Sequence, residues 1–470
     1  MSANLYDLLA SRFPADRGAP CFILADGSSI SYGALEAGAG SVAARLIAEG
    51  VKPGDRVALQ AEKSPEVIMV YLGALMAGAV FVPLNAAYTP AEIDYFLKDS
   101  EPKVFITDPP GFVRGAAKYA PLASPVARDA NDLASLIYTS GTTGRSKGAM
   151  LSHRNLAENA LALHAAWGFT PRDVLLHALP VFHVHGLFVA LHCAMLSGAP
   201  MIWLPKFTDA DVMSGLKHTT VMMGVPTFYT RLLANPAFTT EAAANVRVFI
   251  SGSAPLLPST FAEFEERTGK RILERYGMSE AVIITSNPLE GDRIPGSVGF
   301  PLPGVELRIG GGEETGVIQI RGPSVFSGYW RMPEKTTEEF TKDGFFITGD
   351  VGRIDPDGRV WISGRAKDLI ISGGYNVYPK EIELVLDELP GVTESAVIGV
   401  PHPDFGEGVV AVCTGQGDEA AIIAAARQQL AAYKAPKRVI FVTDLPRNAM
   451  GKVQKNVLRQ TYANLFSKHA

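Results

Sequence analysis

The sequence predicts an α/β protein. It reads as a large N-terminal domain of covered, mostly parallel sheets with a β-rich subdomain, followed by a small α+β C-terminal domain. Three observations lead there. Short apolar runs alternate with longer helical stretches through the first three hundred residues, the rhythm of βαβ crossovers. From residue 305 the texture changes to short, hairpin-like strands. After Lys367 a fresh helix and strand series begins, about a hundred residues long, a usual domain size.

RVALQ at 56–60 reads as a strand, 64–77 as a helix and 80–84 as the next strand. The rhythm repeats with a strand at 173–178, a helix at 186–196 and a strand at 201–204. Between them, residues 108–131 weaken into Pro, Gly and Ala and read as a surface connection. No repeat of 20 to 50 residues is visible, which excludes a solenoid. VELRI, VIQIRG and GRIDPDGRVWISGR form the hairpin region, with DPDG at 355–358 as a turn. In the last segment IELVLDEL and AAIIAAARQQLAAYK read as helices, ESAVIGVP and VVAVCT as strands. The boundary falls at 364–368, giving domains 1–365 and 366–470.

The uncharged run at 67–84 is long enough to be weighed as a membrane span. Gly78 as a helix cap and Pro83 at a strand end divide it into a buried helix and a strand. The N-terminus lacks a basic region followed by an apolar core, so no secretory signal is expected. Apolar residues make up 47% and charged ones 19%, which excludes a disordered chain. With 43 basic against 48 acidic residues there is no basic excess to suggest a nucleic-acid partner. Three dispersed cysteines exclude a disulfide scaffold and fit a reducing cytoplasm. The expectation is a cytoplasmic monomer or weak dimer with no membrane contact.

YTSGTTGRSKG at 138–148 is the strongest chemical signal. A buried strand, LASLI, leads into a loop dense in Gly, Ser, Thr and Lys, before SHRNL starts a helix. Glycines let backbone N–H groups converge on phosphate oxygens, and hydroxyls with a lysine complete an anion nest. The spacing is not that of a P-loop, because the final lysine precedes Gly148. Gly38-Ala39-Gly40 imitates part of a dinucleotide fingerprint but lies inside a helical stretch, where it reads as close helix packing.

Four more motifs follow in order: YGMSE at 276–280, TGD at 348–350, GRAKDLI at 364–370 and PRNAMGKVQK at 446–455. Together with the phosphate loop they resemble the adenylate-forming superfamily of acyl-CoA synthetases, adenylation domains and luciferases, over nearly the whole chain. The resemblance implies a mobile C-terminal domain and ATP, Mg²⁺ and coenzyme A as participants. Thr139, Ser140, Gly141, Thr142, Thr143, Gly144 and Lys147 would cradle phosphates. Ser253, Ala254, Glu274, Tyr276, Gly277, Ser279, Asp350 and Arg365 would contact the rest of ATP, with Tyr276 against adenine and Asp350 on the ribose hydroxyls. Glu280 and Thr142 would hold Mg²⁺, a hard cation that prefers oxygen. Lys452 would be the catalytic lysine bridging the carboxylate and α-phosphate, and Lys367 the hinge. Ser372, Gly373, Gly374 and Tyr375 would line the tunnel for coenzyme A. Ser279 stands where the family usually has threonine and keeps the hydroxyl.

Arg275 narrows the acid, since many relatives carry a small residue there. A guanidinium in the acyl pocket repels a fatty or aromatic tail and pairs bidentately with a second carboxylate. With FHVHGLF, MGVPTFYTRLL, FISGSAPLL and LERYGMSE, the chain resembles the malonyl-CoA synthetases. Malonate is therefore the expected substrate, with Arg275, His183, Ser251 and Met278 around its distal carboxylate. An ion pair of Arg275 with Glu274 or Glu280 outside the pocket is the alternative. Methylmalonate or another short acid, a carrier-loading adenylation domain, and an inactive nucleotide binder also remain open at this point.

Overall fold

The computed structural model describes residues 2–139, 146–312, 314–447 and 451–466, apart from the side chain of Asn376. Two compact units divide it: Met1–Leu307 with Ile320–Phe346, and Arg308–Gln319 with Ile347–Ala470. Residues 347–365 thus pack with the second unit, upstream of the division at 364–368 read from the sequence.

The first unit holds two sheets. One runs Val104–Ile106, Arg56–Gln60, Val80–Leu84, Leu133–Thr139, Lys147–Ser152 in spatial order, parallel except for its last pair. The other has nine strands, with a parallel centre and antiparallel pairs toward both edges. The apolar run at 67–84 becomes the helix Pro65–Met76 and the strand Val80–Leu84, divided by Gly78 at φ +71°. Eleven of the helix's residues are buried, the mark of a helix apolar all round and packed inside. Among the described residues no helix is long and apolar enough to cross a membrane. Gly73 lets that helix meet Tyr32–Ala48 closely, since a Cβ there would stand 2.5 Å from Val42 Cγ1. Gly38 does the same against Met69, so the glycine pair at 38–40 serves helix packing.

Three local expectations need correction. The connection at 108–131 contains a helix, Pro109–Ala116, capped by Asp108 accepting from Gly111 N–H. Its few apolar residues hid it. The phosphate loop does not run straight into a helix; it closes a hairpin, because Lys147–Ser152 returns antiparallel to Leu133–Thr139. Only then does Ser152 cap His153–Ala166. The helix expected at 186–196 begins as a π-helix, His185–Ala190, before Leu191–Ser197 continues as α-helix.

In the second unit, Val392–His402 and Gly406–Gly415 pair antiparallel over their whole length. Val397, Val409 and Ala411 face the helices Pro379–Leu386 and Glu419–Gln429 through Ile382, Leu386, Ile422 and Ala426. Ala396, Ile398, Val410 and Val412 face Leu445 and Leu458 on the other side. Burial on both faces explains why these strands read as unbroken apolar runs. The alanine-rich helix ends at Gln429, short of its apolar run, because Leu430 turns extended into the core. The hairpin Phe346–Ile354 and Val360–Arg365 turns at Asp355, with Gly358 at φ +86°.

Candidate active site

Arg275 lies on the strand Leu273–Met278 and is only 5% exposed. Its guanidinium rests on Gly252, where a Cβ would stand 2.5 Å from Nε and Cζ. Nε and Nη2 are buried with no hydrogen-bond partner. The alternative ion pairs are absent: among the described residues no carboxylate faces Arg275. Glu274 points to the other side of its strand and accepts from Gly296 N–H at 3.1 Å. Burial raises the Glu274 carboxyl to about 7 and lowers Arg275 to about 9. A buried guanidinium without a counter-charge is expensive to fold and marks a place for an anion.

Two further buried polar atoms are also without partners: His185 Nε2, whose ring lies in the field of Arg275, and Ser251 Oγ. Ser251 is paired with Glu274 across the sheet and so starts on the face opposite Arg275, not beside it as the sequence suggested. His185 Nδ1 lies 3.3 Å from Ser253 Oγ. Burial first, then the charge of Arg275 and the neighbouring histidines, hold His185 well below the usual histidine value, so its ring is neutral. The Ser253 hydroxyl occupies Nδ1, which leaves Nε2 as the ring atom without a partner. His183 is half-buried, and its Nδ1 accepts from His185 N–H at 3.2 Å. The sequence reading therefore chose the first histidine of FHVHG, while the second shares the field of Arg275. Its apolar flanks, Val184 and Gly186-Leu187, were the signal for the more buried one. Tyr276 and Met278 are half-buried on the strand of Arg275, on either side of a register shift between Tyr276 and Gly277. Gly277 is required there, since a Cβ would stand 2.0 Å from Val282 O.

A second cluster lies at the ends of the strands Leu133–Thr139 and Lys147–Ser152 that flank the phosphate loop, of which residues 140–145 lie outside the described residues. Lys147 Nζ meets Glu339 Oε1 at 2.8 Å and stands 4.6 Å from the centre of the Tyr329 ring. The Tyr329 hydroxyl is 2.8 Å from Glu339 Oε2 and 3.1 Å from Glu280 Oε1. Thr139 Oγ1 lies 3.5 Å from the same Glu280 oxygen. Glu280 is 7% exposed, which removes the surface ion pair as its explanation. Burial opposes ionisation of Glu339, but hydrogen bonds from Lys147 and Tyr329 outweigh it and keep its pKa below the usual carboxylate range. Tyr329 and Glu339 were missed in the sequence because the motif spacing points to neither.

A buried carboxylate beside a hydroxyl offers the oxygen ligands a hard cation prefers. No group of three or more His, Cys, Asp and Glu side chains among the described residues could hold a metal ion. A Mg²⁺ at Glu280 would complete its shell with water and nucleotide phosphate, as this ion commonly does. Ser253, at φ +70°, and exposed Ala254 follow the strand Val248–Ser251, and Ser279 is half-buried beside Glu280. Glu274, directed at Gly296, joins neither cluster.

In the second unit Asp350 and Arg365 stand opposite each other across the hairpin, with Arg365 Nε 3.3 Å from Asp350 Oδ1. Lys367 lies in the short 3-10 turn Ala366–Asp368; burial, then the charge of Arg365, lowers its pKa. Ser372 is buried, while Gly373 and Gly374 take φ of +60° and +83°. Exposed Tyr375 stacks on Tyr433 with ring centres 4.6 Å apart. Lys452 is exposed on the segment bridged by Arg447 and Val453.

The family model described as AMP-binding enzyme matches residues 9–125 and 113–330, and that of the AMP-binding enzyme C-terminal domain matches 381–452. A malonate–CoA ligase of Arabidopsis thaliana is 34% identical, with 94% of this chain and 86% of the relative covered. A sulfoacetate–CoA ligase of Cupriavidus necator is 36% identical, covering 91% and 92%. The crystal structure of ATP-bound MatB from Rhodopseudomonas palustris matches at a TM-score of 0.96 and 51% identity, over 99% of this chain and all of that one. The chain belongs to the AMP-binding enzyme family.

Proposed function

We propose that this protein is a malonate–CoA ligase of the AMP-forming class. Malonate and ATP give malonyl-AMP and pyrophosphate; coenzyme A then displaces AMP to give malonyl-CoA. The observation that carries the choice of acid is Arg275, buried without a carboxylate and with the buried His185 ring in its field. A buried guanidinium with a buried histidine in its field suits a carboxylate, and a monocarboxylate's tail would leave Arg275 without a counter-charge. The malonate ligase among the relatives agrees with this choice, and sulfoacetate, the acid named for another, also carries an anionic group at each end.

The chemistry assigns the parts as follows. Arg275 and His185 hold the distal carboxylate, with His183 bracing the loop, so that the proximal one faces the α-phosphorus. Lys147, Thr139 and residues 140–144 hold the β- and γ-phosphates, and Lys147 exchanges Glu339 for phosphate oxygen. Mg²⁺ held by Glu280 and Thr142 would neutralise phosphate charge. Asp350 and Arg365 take the ribose, and Lys452 stabilises charge as the acyl–phosphate bond forms. We divide the chain functionally at residue 365. Rotation about Lys367 would withdraw Lys452 and present Ser372, Gly373, Gly374 and Tyr375 to the thiol arm of coenzyme A. Three buried free thiols, Cys21, Cys193 and Cys413, fit a cytoplasmic setting.

Pyrophosphate exchange into ATP across malonate, methylmalonate, succinate, acetate, octanoate and benzoate tests the reading. Exchange strongest with malonate is expected. A preference for a monocarboxylate would overturn the role of Arg275, and no exchange with any acid would overturn the enzyme assignment.

A further inference from the structure

Away from the substrate atoms, the first unit buries a lysine. Lys63 follows the strand Arg56–Gln60 of the five-stranded sheet and is 9% exposed. Its Nζ reaches across to the nine-stranded sheet, at the C-terminal ends of two neighbouring parallel strands. There it lies 2.7 Å from the carbonyl of His177, 2.7 Å from that of Leu204, and 2.8 Å from His177 Nδ1. The ammonium also stands 4.1 Å from the centre of the Trp203 ring. Three acceptors match the three N–H donors of an ammonium group.

His177 is completely buried, and its other ring nitrogen, Nε2, lies 2.9 Å from the carbonyl oxygen of Gly186. A carbonyl only accepts, so Nε2 carries the proton and Nδ1 is the bare nitrogen. That assignment is possible because Lys63 donates to Nδ1; the lysine selects the histidine tautomer. Gly186 is the second residue of the π-helix and the neighbour of His185. It has no room for a side chain, since a Cβ on it would stand 2.1 Å from Pro180 O.

We infer that Lys63 is a positioning residue for acid recognition: through His177 and the Gly186 carbonyl, it fixes the backbone that aims His185 Nε2 at the anion held by Arg275. The inference rests on the malonate reading above. Removing the Lys63 ammonium leaves His177 Nδ1 and the Leu204 carbonyl without this donor, while the His177 carbonyl keeps only Leu204 N–H. The ring then loses the tautomer that holds Gly186, and His185 loses its aim.

The test compares Lys63→Met, His177→Gln and His177→Leu with the parent, measuring KM for malonate and for ATP separately. A glutamine amide can still donate to the Gly186 carbonyl, whereas leucine cannot. Lys63→Met and His177→Leu should raise the malonate KM roughly ten-fold, the loss of about one hydrogen bond to a charged group, with the ATP KM within about two-fold. His177→Gln should recover most of that rise. Equal rises for both substrates, an unchanged malonate KM, or Gln and Leu behaving alike would overturn the inference. If Lys63→Met fails to fold, the His177 pair decides. Arg275→Gly run in parallel separates the two readings. Retained malonate selectivity there overturns the acid-site assignment itself; selectivity lost there but kept in the other variants overturns only the role of Lys63.

Discussion

Arg275 and Glu274 are adjacent in sequence and face opposite sides of one strand, so the carboxylate nearest the buried guanidinium along the chain does not neutralise it. Each therefore carries its own burial cost, and each makes a separate prediction.

Arg275→Met should lose malonate-dependent pyrophosphate exchange by about a hundred-fold or more while ATP binding persists, because a charge-assisted bidentate contact is lost. The same change replaces an uncompensated charge with an apolar chain and should raise thermal stability. Malonate should raise the melting temperature of the parent and not of the variant. Thermal-shift curves with and without malonate check both halves; a destabilised variant that still responds to malonate contradicts them.

Glu274 has a folded-state value of about 7, above the usual carboxylate range, because burial penalises its charged form. In the unfolded chain it ionises near pH 4.3. The native state thus holds the proton more tightly, and stability falls as pH rises between those values, levelling off above 7. Glu274→Gln keeps the acceptor for Gly296 N–H and removes this penalty, on the order of 2–4 kcal/mol at high pH. The melting-temperature gap between variant and parent should widen from pH 5 to pH 8. A constant gap would contradict the raised value.

Gly252→Ala introduces a Cβ 2.5 Å from the guanidinium and pushes Arg275 aside. Overpacking of this kind costs about 1–3 kcal/mol. The malonate KM should rise with a smaller loss than in Arg275→Met, since the cation survives but is misplaced. Kinetics matching the parent would show that the guanidinium's place is not critical.

Lys452→Ala should stall adenylation by about a hundred-fold or more, the size of losing one charge-stabilising group. Thioester formation from supplied malonyl-AMP should persist. Equal loss of both half-reactions would contradict the assignment of Lys452 to the first one only.

Much of this was legible in the sequence because the relevant patterns are local. Pro65–Met76 announced itself by an uncharged apolar run and a glycine after its end. The strands Arg56–Gln60 and Val80–Leu84 showed as compact apolar runs between helices. Arg275 stood out as an arginine where many relatives carry a small residue. What escaped depends on distant partners. The strand Lys147–Ser152 exists because Gly148 and Met150 bond to residues 328 and 330. That His185 lies in the field of Arg275 shows only in the fold, and Glu339 reaches Lys147 from 192 positions away. The π-helix carries no compositional signature, so the helix it opens looked ordinary.

That π-helix sets how the acid site can change. Shortening the segment from Gly186 to Ala190 by one residue would let it rewind as ordinary α-helix. Everything before the deletion would then swing by about 100° around the helix axis. His185 would leave the guanidinium, and the carbonyl anchored by His177 would be replaced by another. Substitutions here can be absorbed one side chain at a time, whereas a change of length alters recognition in a single step. In a library of variants, the acid this protein accepts should drift with point changes and jump with a deletion.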